Sequence, residues 1–450
     1  MLVPLVRTVR CAPKTHACPH CGKHGRRTRI HHRRIRSLAY RQEAYIDVTY
    51  AEYRSRCSCC KYFRSWPEAL GVPPKAEYDQ QVRQAVLNHI IEDGLNVQRT
   101  RELMRRDFLV DLSDGFVYDC LRWRMAQLDC AAHRQLVIAR FSGTLCIDEI
   151  HLGRFTLLLA TDPLSDLPVA FALVSRNDKK HMKRFLNGLK SWGLLPAVVV
   201  TDGSDLYPEV LAELWPRARH QLCVFHILKD INELVIKAVR RLARAMERRG
   251  NAGRKRRRGR PTKSQQAARA AAGPTLKEKA AFILKHRFLI VKKSTALNKQ
   301  QWQDLCAMFE YLPQLRTLWY FARDVRNLFE KEARVQTLFK RHKALLREED
   351  YKAVPELVEA MKLLEEKKFK KAVAFVYSPL GQRQRTNNHV ERVNRKIRYA
   401  EKSRYKWRRR KWVVRFVLLA LDCWWRQVAA QEAQPDQAAG AAQQSQHSSP

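Results

Sequence analysis

Residues 143–226 read GTLCIDEIHLGRFTLLLATDPLSDLPVAFALVSRNDKKHMKRFLNGLKSWGLLPAVVVTDGSDLYPEVLAELWPRARHQLCVFH. Three apolar runs lie close together: Thr144–Ile150, Phe155–Ala160 and Val169–Val174, the last two split by the turn sequence DPLSD. Short β-rich runs bounded by Gly, Pro and Asp predict strands. Met182, Phe185, Leu186 and Leu189 follow at helical spacing. Next come the apolar PAVVVTDG, a second helix-like segment over 208–215, and HQLCVF. The predicted order is β-β-β-α-β-α-β, a meander followed by crossover units that build a mixed sheet.

Two aspartates hold informative places in this order. Asp148 lies inside the apolar run of the first strand, and Asp202 lies where the strand 197–200 gives way to a glycine turn. A carboxylate within an apolar strand is costly unless it is paired or binds a metal. Ligand sites of α/β sheets also favour the carboxyl ends of strands. The plainer possibility is that Asp202 only shapes its turn while Asp148 meets an arginine. Strand alternation turns Glu149 to the opposite face from Asp148.

The whole chain has 450 residues, enough for more than one domain. Its 86 Lys and Arg against 44 Asp and Glu leave a formal net charge of +42. Such an excess calls for a polyanionic partner, nucleic acid before all others. A membrane surface fits less well, because the charge is spread along the chain. No apolar run reaches the roughly 18 residues of a spanning helix; 412–425 is interrupted by Arg415 and Asp422. The start MLVPLVRTVR has no secretory pattern. A soluble intracellular protein is expected.

Twelve cysteines in such a protein argue against a disulfide framework. Cys18-Pro-His-Cys21 and Cys57-Ser-Cys59-Cys60 instead suit one tetrahedral Zn²⁺, two thiolates per turn. Cys57 with Cys60 has the usual spacing, Cys59 being the alternative. Cys11, His16, His20 and His24 could substitute. A zinc ribbon is expected over about residues 11–66, with YIDVTYAEY (45–53) as a strand. The arginines at 26, 27, 29, 33, 34 and 36 suit phosphate contact.

Residues 78–130 predict three short helices: about 79–93, about 97–107, and one capped by Ser113 with Val117, Cys120, Leu121, Met125 and Leu128 inward. That pattern fits a helix-turn-helix unit or, equally in form, a plain linker bundle. From about 248 to 274 the chain is basic and of low complexity. Within it Arg258-Gly-Arg260-Pro has the form of an A·T minor-groove hook, though a solvated basic loop accounts for it too. Residues 276–371 return to helix with aromatic and basic residues interleaved. The last helix is marked by QRTNNHVERVNRKIR (384–398), with Asn387 or Asn388 as cap and Val390, Val393 and Ile397 as its buried stripe. Glu391, Asn394, Arg395 and Arg398 share its polar face.

The ordered set formed by Asp148 in CIDE, Asp202 in VVVTDGSDLY, Cys223-x-x-His226 in LCVFH and Glu391 in NNHVERVNRKIR resembles the DDE transposases of bacterial insertion sequences, the ISL3 family in particular. The resemblance covers nearly the whole chain apart from a Gln/Ala/Ser-rich tail, which is expected to be disordered. It implies a multidomain α+β fold. A zinc-ribbon-like domain (1–70) and a helix-turn-helix DNA-binding region (75–132) would precede a ribonuclease-H-like mixed α/β catalytic core (140–226 and 384–428). A helical insertion (227–383), with the basic loop 248–274, would interrupt that core, and the tail would be 430–450. Asp148, Asp202 and Glu391 would then hold two Mg²⁺ or Mn²⁺ ions for DNA cleavage and strand transfer, with Cys223 and His226 in support. Cys18, Cys21, Cys57 and Cys60 would hold one structural Zn²⁺. Apart from the resemblance, Arg258 and Arg260 of the basic loop and Arg395 and Arg398 of the last helix are candidate DNA contacts. The implied partners are double-stranded DNA, both terminal inverted repeats and target, and further copies of the chain, a homodimer or larger; no membrane is implied. The implied location is the bacterial cytoplasm, at the nucleoid. The alternatives are a non-catalytic zinc-ribbon/helix-turn-helix regulator, an inactivated transposase derivative, and a ribonuclease-H-like nuclease without strand joining.

Overall fold

The computed structural model describes residues 3–55, 60–251, 273–403 and 409–432. Two compact units emerge. One comprises Met1–Leu136, Ile150–Leu157 and Val393–Pro450; the other comprises Val137–Glu149 and Leu158–Arg392.

The first unit opens with a five-stranded sheet made of β1 (Leu5–Cys11), β2 (Thr15–Ala17), β3 (His24–Ser37), β4 (Ala44–Arg54) and β5 (Tyr62–Arg64). The order is β1-β4-β3-β2, with β5 also on β4, and β1 runs parallel to β4. The expected strand 45–53 is thus the centre of the sheet. Alternation explains its hold: Ile46, Val48 and Tyr50 turn inward onto Ile35, Leu70, Val72 and Ala76. The facing strand β3 keeps Arg26, Arg29 and Arg34 exposed. At Gly25 a side chain would sit 2.8 Å from both the Arg54 carbonyl and the Phe63 ring, so only glycine lets β3 approach there.

Helices α1 (Gln80–Ile91), α2 (Val97–Phe108) and α3 (Asp114–Ala126) follow, close to the expected bounds. Asp79, Asn96 and Ser113 cap them by accepting from the Val82, Arg99 and Phe116 amides. Val82, Val86, Ile90, Met104, Leu112, Val117 and Cys120 form their common core. The pattern over 78–130 missed a fourth helix, α4 (Cys130–Arg140), which buries little of itself beyond Val137. Asp129 marks its start, its Oδ1 accepting from the Ala131 and Ala132 amides at 2.9 Å. In the same unit Asp422, 2% exposed, receives Arg124 (2.5 Å), His133 (3.1 Å) and Arg426 (3.1 Å). A carboxylate so deeply buried is tolerable only with such partners.

The next stretch, in the second unit apart from Ile150–Leu157, follows the predicted order without a break. It runs β6 (Thr144–Leu152), β7 (Phe155–Asp162), β8 (Leu167–Val174), α5 (Lys179–Ser191), β9 (Val198–Thr201), α6 (Pro208–Leu214) and β10 (Arg219–Leu222). The sheet order is β10-β9-β6-β7-β8, with β6 and β10 both parallel to β9. This mixed sheet with its helices is consistent with a ribonuclease-H-like core. Leu145, Ile147, Leu158, Ala160 and Val199 pack against Met182, Leu186, Tyr207 and Leu211.

A long helix, α7 (Val224–Asn251), leaves the sheet and enters a helical body. That body contains α8 (Leu276–His286), α9 (Lys299–Tyr311), α10 (Leu315–Asn327), α11 (Val335–Arg347), α12 (Glu349–Lys352), α13 (Pro355–Lys362) and α14 (Glu366–Ala372). One apolar cluster runs through it, from Val235 and Val239 to Leu318, Phe321, Leu357 and Phe369. Buried Gln221 fastens β10 to its far end: Nε2 donates to the Ala372 carbonyl (2.7 Å), and Oε1 accepts from the Phe375 amide (2.6 Å). The chain returns as α15 (Asn388–Ser403) and ends in α16 (Arg410–Glu432). No described helix is long and apolar enough to cross a membrane.

Candidate active site

On β6 the pleat separates neighbours. Leu145 and Ile147 face the core that contains Tyr207, while Cys146 and Asp148 turn the other way. Burial holds the Cys146 thiol well above its usual range, and the Cys223, Asp162 and Asp148 groups push in the same direction. Glu149, on the opposite pleat from Asp148, accepts from the Tyr207 hydroxyl and from Asn177 Nδ2 (3.2 Å). Those two contacts give Glu149 a hydrogen-bonded place of its own.

Asp202 follows directly on β9. Its Oδ1 accepts from the Ser204 amide (3.0 Å), while the Thr201 hydroxyl donates to the Asp202 carbonyl (2.8 Å). The short strand therefore ends in a turn that its own polar groups close, with the carboxylate at the carboxyl edge of the sheet. Tyr207 is fully buried nearby. Burial raises its hydroxyl well above the ordinary value, followed by the carboxylates of Glu149, Asp202 and Asp148. One phenol thus reports three acidic groups around the strand ends.

Cys223 and His226 occupy the corner from β10 into α7. The incoming segment 385–388 is stitched to that corner by backbone and side chain. The Val224 amide donates to the Arg385 carbonyl (2.9 Å), and the Asn387 amide donates to Cys223 Sγ (3.3 Å). Asn387 Nδ2 donates to the Ile147 carbonyl (2.7 Å), the residue before Asp148. One turn on, the Glu391 amide bonds to the Asn387 carbonyl (3.1 Å), so the same asparagine locates both β6 and the helix that carries Glu391. Sequence reading took Asn387 as a possible cap. It directly precedes the helix, is completely buried, and also uses its side chain as a clamp across 240 residues, a role no local pattern encodes.

Glu391 Oε1 stands 3.8 Å from His226 Nε2. The adjacent Cys223 thiol chiefly raises the His226 imidazole above its ordinary value; burial opposes this, and the Glu391 and Asp202 carboxylates add to it. Among the described residues, Cys223, His226 and Glu391 form a group whose ligand atoms all lie within 4.8 Å of one another. Asp148 and Asp202 are outside that group and reach the site through their shared neighbours, Tyr207 for both and His226 for Asp202. Valines 390 and 393 and Ile397 are buried as the helical stripe requires, while Asn394, expected on the polar face, is buried as well. Arg395 and Arg398 are exposed.

A second sulfur site lies in the N-terminal sheet. Cys18 and Cys60, 42 positions apart, bring their Sγ atoms to 3.4 Å. Cys18 is buried and Cys21 exposed. The expected ligand Cys57 and the basic-loop residues Arg258 and Arg260 lie outside the described residues.

Comparison with protein families matches residues 145–411, more than half of the chain, to a model described as a transposase, of the DDE type named for ISL3. Comparison with curated proteins finds no match.

Proposed function

The chain belongs to the ISL3 family of DDE transposases, and on that premise we propose that it binds the ends of an insertion sequence, cuts them and joins them to target DNA. Asp148, Asp202 and Glu391 are the residues proposed to hold the catalytic cations. The observation that carries this reading is the clamp by Asn387, which brings the helix of Glu391 to the strand of Asp148 and the corner beside Asp202.

The donor set fits hard divalent cations. It consists of carboxylates, and Glu391 Oε1 is buried without a hydrogen-bond donor of its own. Bound as a pair, Mg²⁺ or Mn²⁺ would supply activation of the attacking oxygen and stabilisation of the leaving one in an in-line displacement. The protein's own part is placement. Ser204 orients Asp202, Asn387 sets the approach of Glu391, and Tyr207 with Asn177 holds Glu149 to one side. Cys223 and His226 back Glu391. Water would attack when ends are nicked, and a DNA 3′-hydroxyl when they are joined.

The remaining regions are read as DNA-handling parts. The N-terminal sheet acts as a zinc ribbon through Cys18, Cys21, Cys57 and Cys60, supported by the 3.4 Å approach of Cys18 and Cys60. The three capped helices over 80–126 act as the helix-turn-helix reader of the terminal repeats. Residues 140–226 and 384–428 form the catalytic core, interrupted by the insertion 227–383. Holding two ends at once calls for a homodimer or larger assembly, in the bacterial cytoplasm on nucleoid DNA.

The test is a cleavage and strand-joining assay on the element's terminal DNA with Mg²⁺ or Mn²⁺, comparing wild type with Glu391→Gln. Metal-dependent cutting and joining lost in the variant, with end binding kept, is the expected result. Cutting by both proteins would put the third ligand elsewhere. Hydrolysis without joined products would leave a nuclease, and binding without cutting by either would leave a regulator.

A further inference from the structure

From the corner at β10 and α7 we infer a second kind of metal site: Cys223, His226 and Glu391 together bind one soft divalent cation of the zinc class. The inference goes beyond the transposase reading and shares with it only Glu391.

The local sequence explains why the three meet. Cys223 is the last residue before α7, and His226 lies three positions on, in the first turn of that helix, so both side chains can serve one point. Glu391 arrives on the first turn of α15, located there by Asn387. All three ligand atoms fall within 4.8 Å of one another. In a tetrahedral ion with bonds of about 2.0–2.3 Å, ligand atoms stand about 3.3–3.8 Å apart. The 3.8 Å between His226 Nε2 and Glu391 Oε1 is a few tenths of an ångström beyond the roughly 3.4 Å of a nitrogen–oxygen pair, within reach of a small side-chain adjustment.

The surroundings match a ligand set more closely than a plain ion pair. Glu391 Oε1 is a buried atom without a hydrogen-bond partner, and the Cys223 thiol lies within hydrogen-bond reach of the His226 imidazole. The Asn387 amide is aimed at Cys223 Sγ from 3.3 Å, the kind of outer support that orients a sulfur ligand. Thiolate and imidazole are poor partners for Mg²⁺ and good ones for Zn²⁺ or Co²⁺. Three protein ligands also leave the fourth position of a tetrahedral ion open to water or a phosphate oxygen. A cation held there takes Glu391 away from Asp148 and Asp202, so zinc and the catalytic cation compete for one carboxylate.

The test uses the full chain without DNA, so its outcome does not depend on transposition. Co²⁺ is titrated into the Cys18→Ser/Cys21→Ser protein, which weakens the N-terminal sulfur site, and the thiolate-to-cobalt charge-transfer band is followed. One equivalent should produce the band, and one equivalent of Zn²⁺ should abolish it, whereas millimolar Mg²⁺ should not. Adding Cys223→Ser should remove the band, and His226→Ala in place of it should weaken cobalt affinity at least about tenfold. Circular dichroism checks that each variant is folded; should Cys223→Ser unfold, the His226→Ala affinity decides. An unchanged band without Cys223, affinity unchanged by His226→Ala, or displacement by Mg²⁺ would overturn the site.

Discussion

The two sheets of this protein handle charge in opposite ways. In the N-terminal sheet β3 lays exposed arginines along one long strand, and β4 carries most of the core through Ile46, Val48 and Tyr50, joined by Ile35 of β3. In the second sheet β7 is buried at every residue, and three acidic groups, Asp148 and Glu149 of β6 and Asp202 after β9, lie near Tyr207. A basic strand costs nothing while its guanidinium groups stay in water, and it awaits a polyanion. Carboxylates at the edge of a dry sheet are expensive, and so each is tied to a neighbour or available for a cation. On the proposed function, the first would be a surface for holding DNA and the second the place for cutting it.

The largest effect that would sharpen this contrast is at Glu391. Glu391→Gln should lower cleavage by at least about a thousandfold, as loss of a group acting on the transition state does, with end binding within about twofold of wild type. A gel-based cleavage assay beside a binding titration reads both; equal loss of binding would make the acidic corner a structural one. Asp202→Asn should behave alike, with DNA affinity equal or higher because a negative charge near phosphate is gone.

Next in size is the buried ion cluster of the first unit. Asp422→Ala leaves Arg124 and His133 without their carboxylate and should cost about 3–5 kcal/mol, seen as a lower denaturant midpoint. An unchanged midpoint would mean that the cluster is open to water.

The sheet of the second unit should also respond to acid. Burial, and then the charge of Lys371, lowers His220 to about 4. The folded state therefore prefers the neutral ring, and the associated stability is whole above about pH 6.5 and is lost as pH falls from there toward 4. The full loss is at most about 3 kcal/mol by the pKa linkage. His220→Gln should flatten that stretch of the stability–pH curve, while a curve of the same slope would assign the acid loss to other groups.

Smallest is the basic strand. Arg34 already lies on Asp47 at 2.7 Å, which leaves Arg26 and Arg29 as the freer charges. Arg26→Ala with Arg29→Ala should reduce the salt slope of DNA binding by about two and leave cleavage chemistry untouched. An unaltered slope would remove this strand from the DNA-binding surface.

Much of the architecture was legible because it is local. Apolar runs of strand length, glycine and aspartate turns, and the caps Asp79, Asn96 and Ser113 each act within a few residues. Asp148 and Asp202 stood out for the same reason, one an acid inside an apolar strand and the other an acid at the end of one. Glu391 on a basic helix became telling only beside those two. The helix 130–140 escaped notice because its single buried residue, Val137, leaves no stripe to see. Asn387 was readable as a polar residue before a helix, but its partner Ile147 is a backbone carbonyl 240 positions away.

By itself, then, the sequence determined the order of elements, the basic surface and the candidate metal ligands, since these follow from periodicity, charge and side-chain chemistry. Only the tertiary structure decided which of them meet. It brought Cys18 to Cys60, set Cys223 and His226 against Glu391, and gave Asn387 a second role as a clamp. Those meetings depend on how sheet and helices close over one another, and an apolar core is indifferent to which polar atoms that closure leaves face to face.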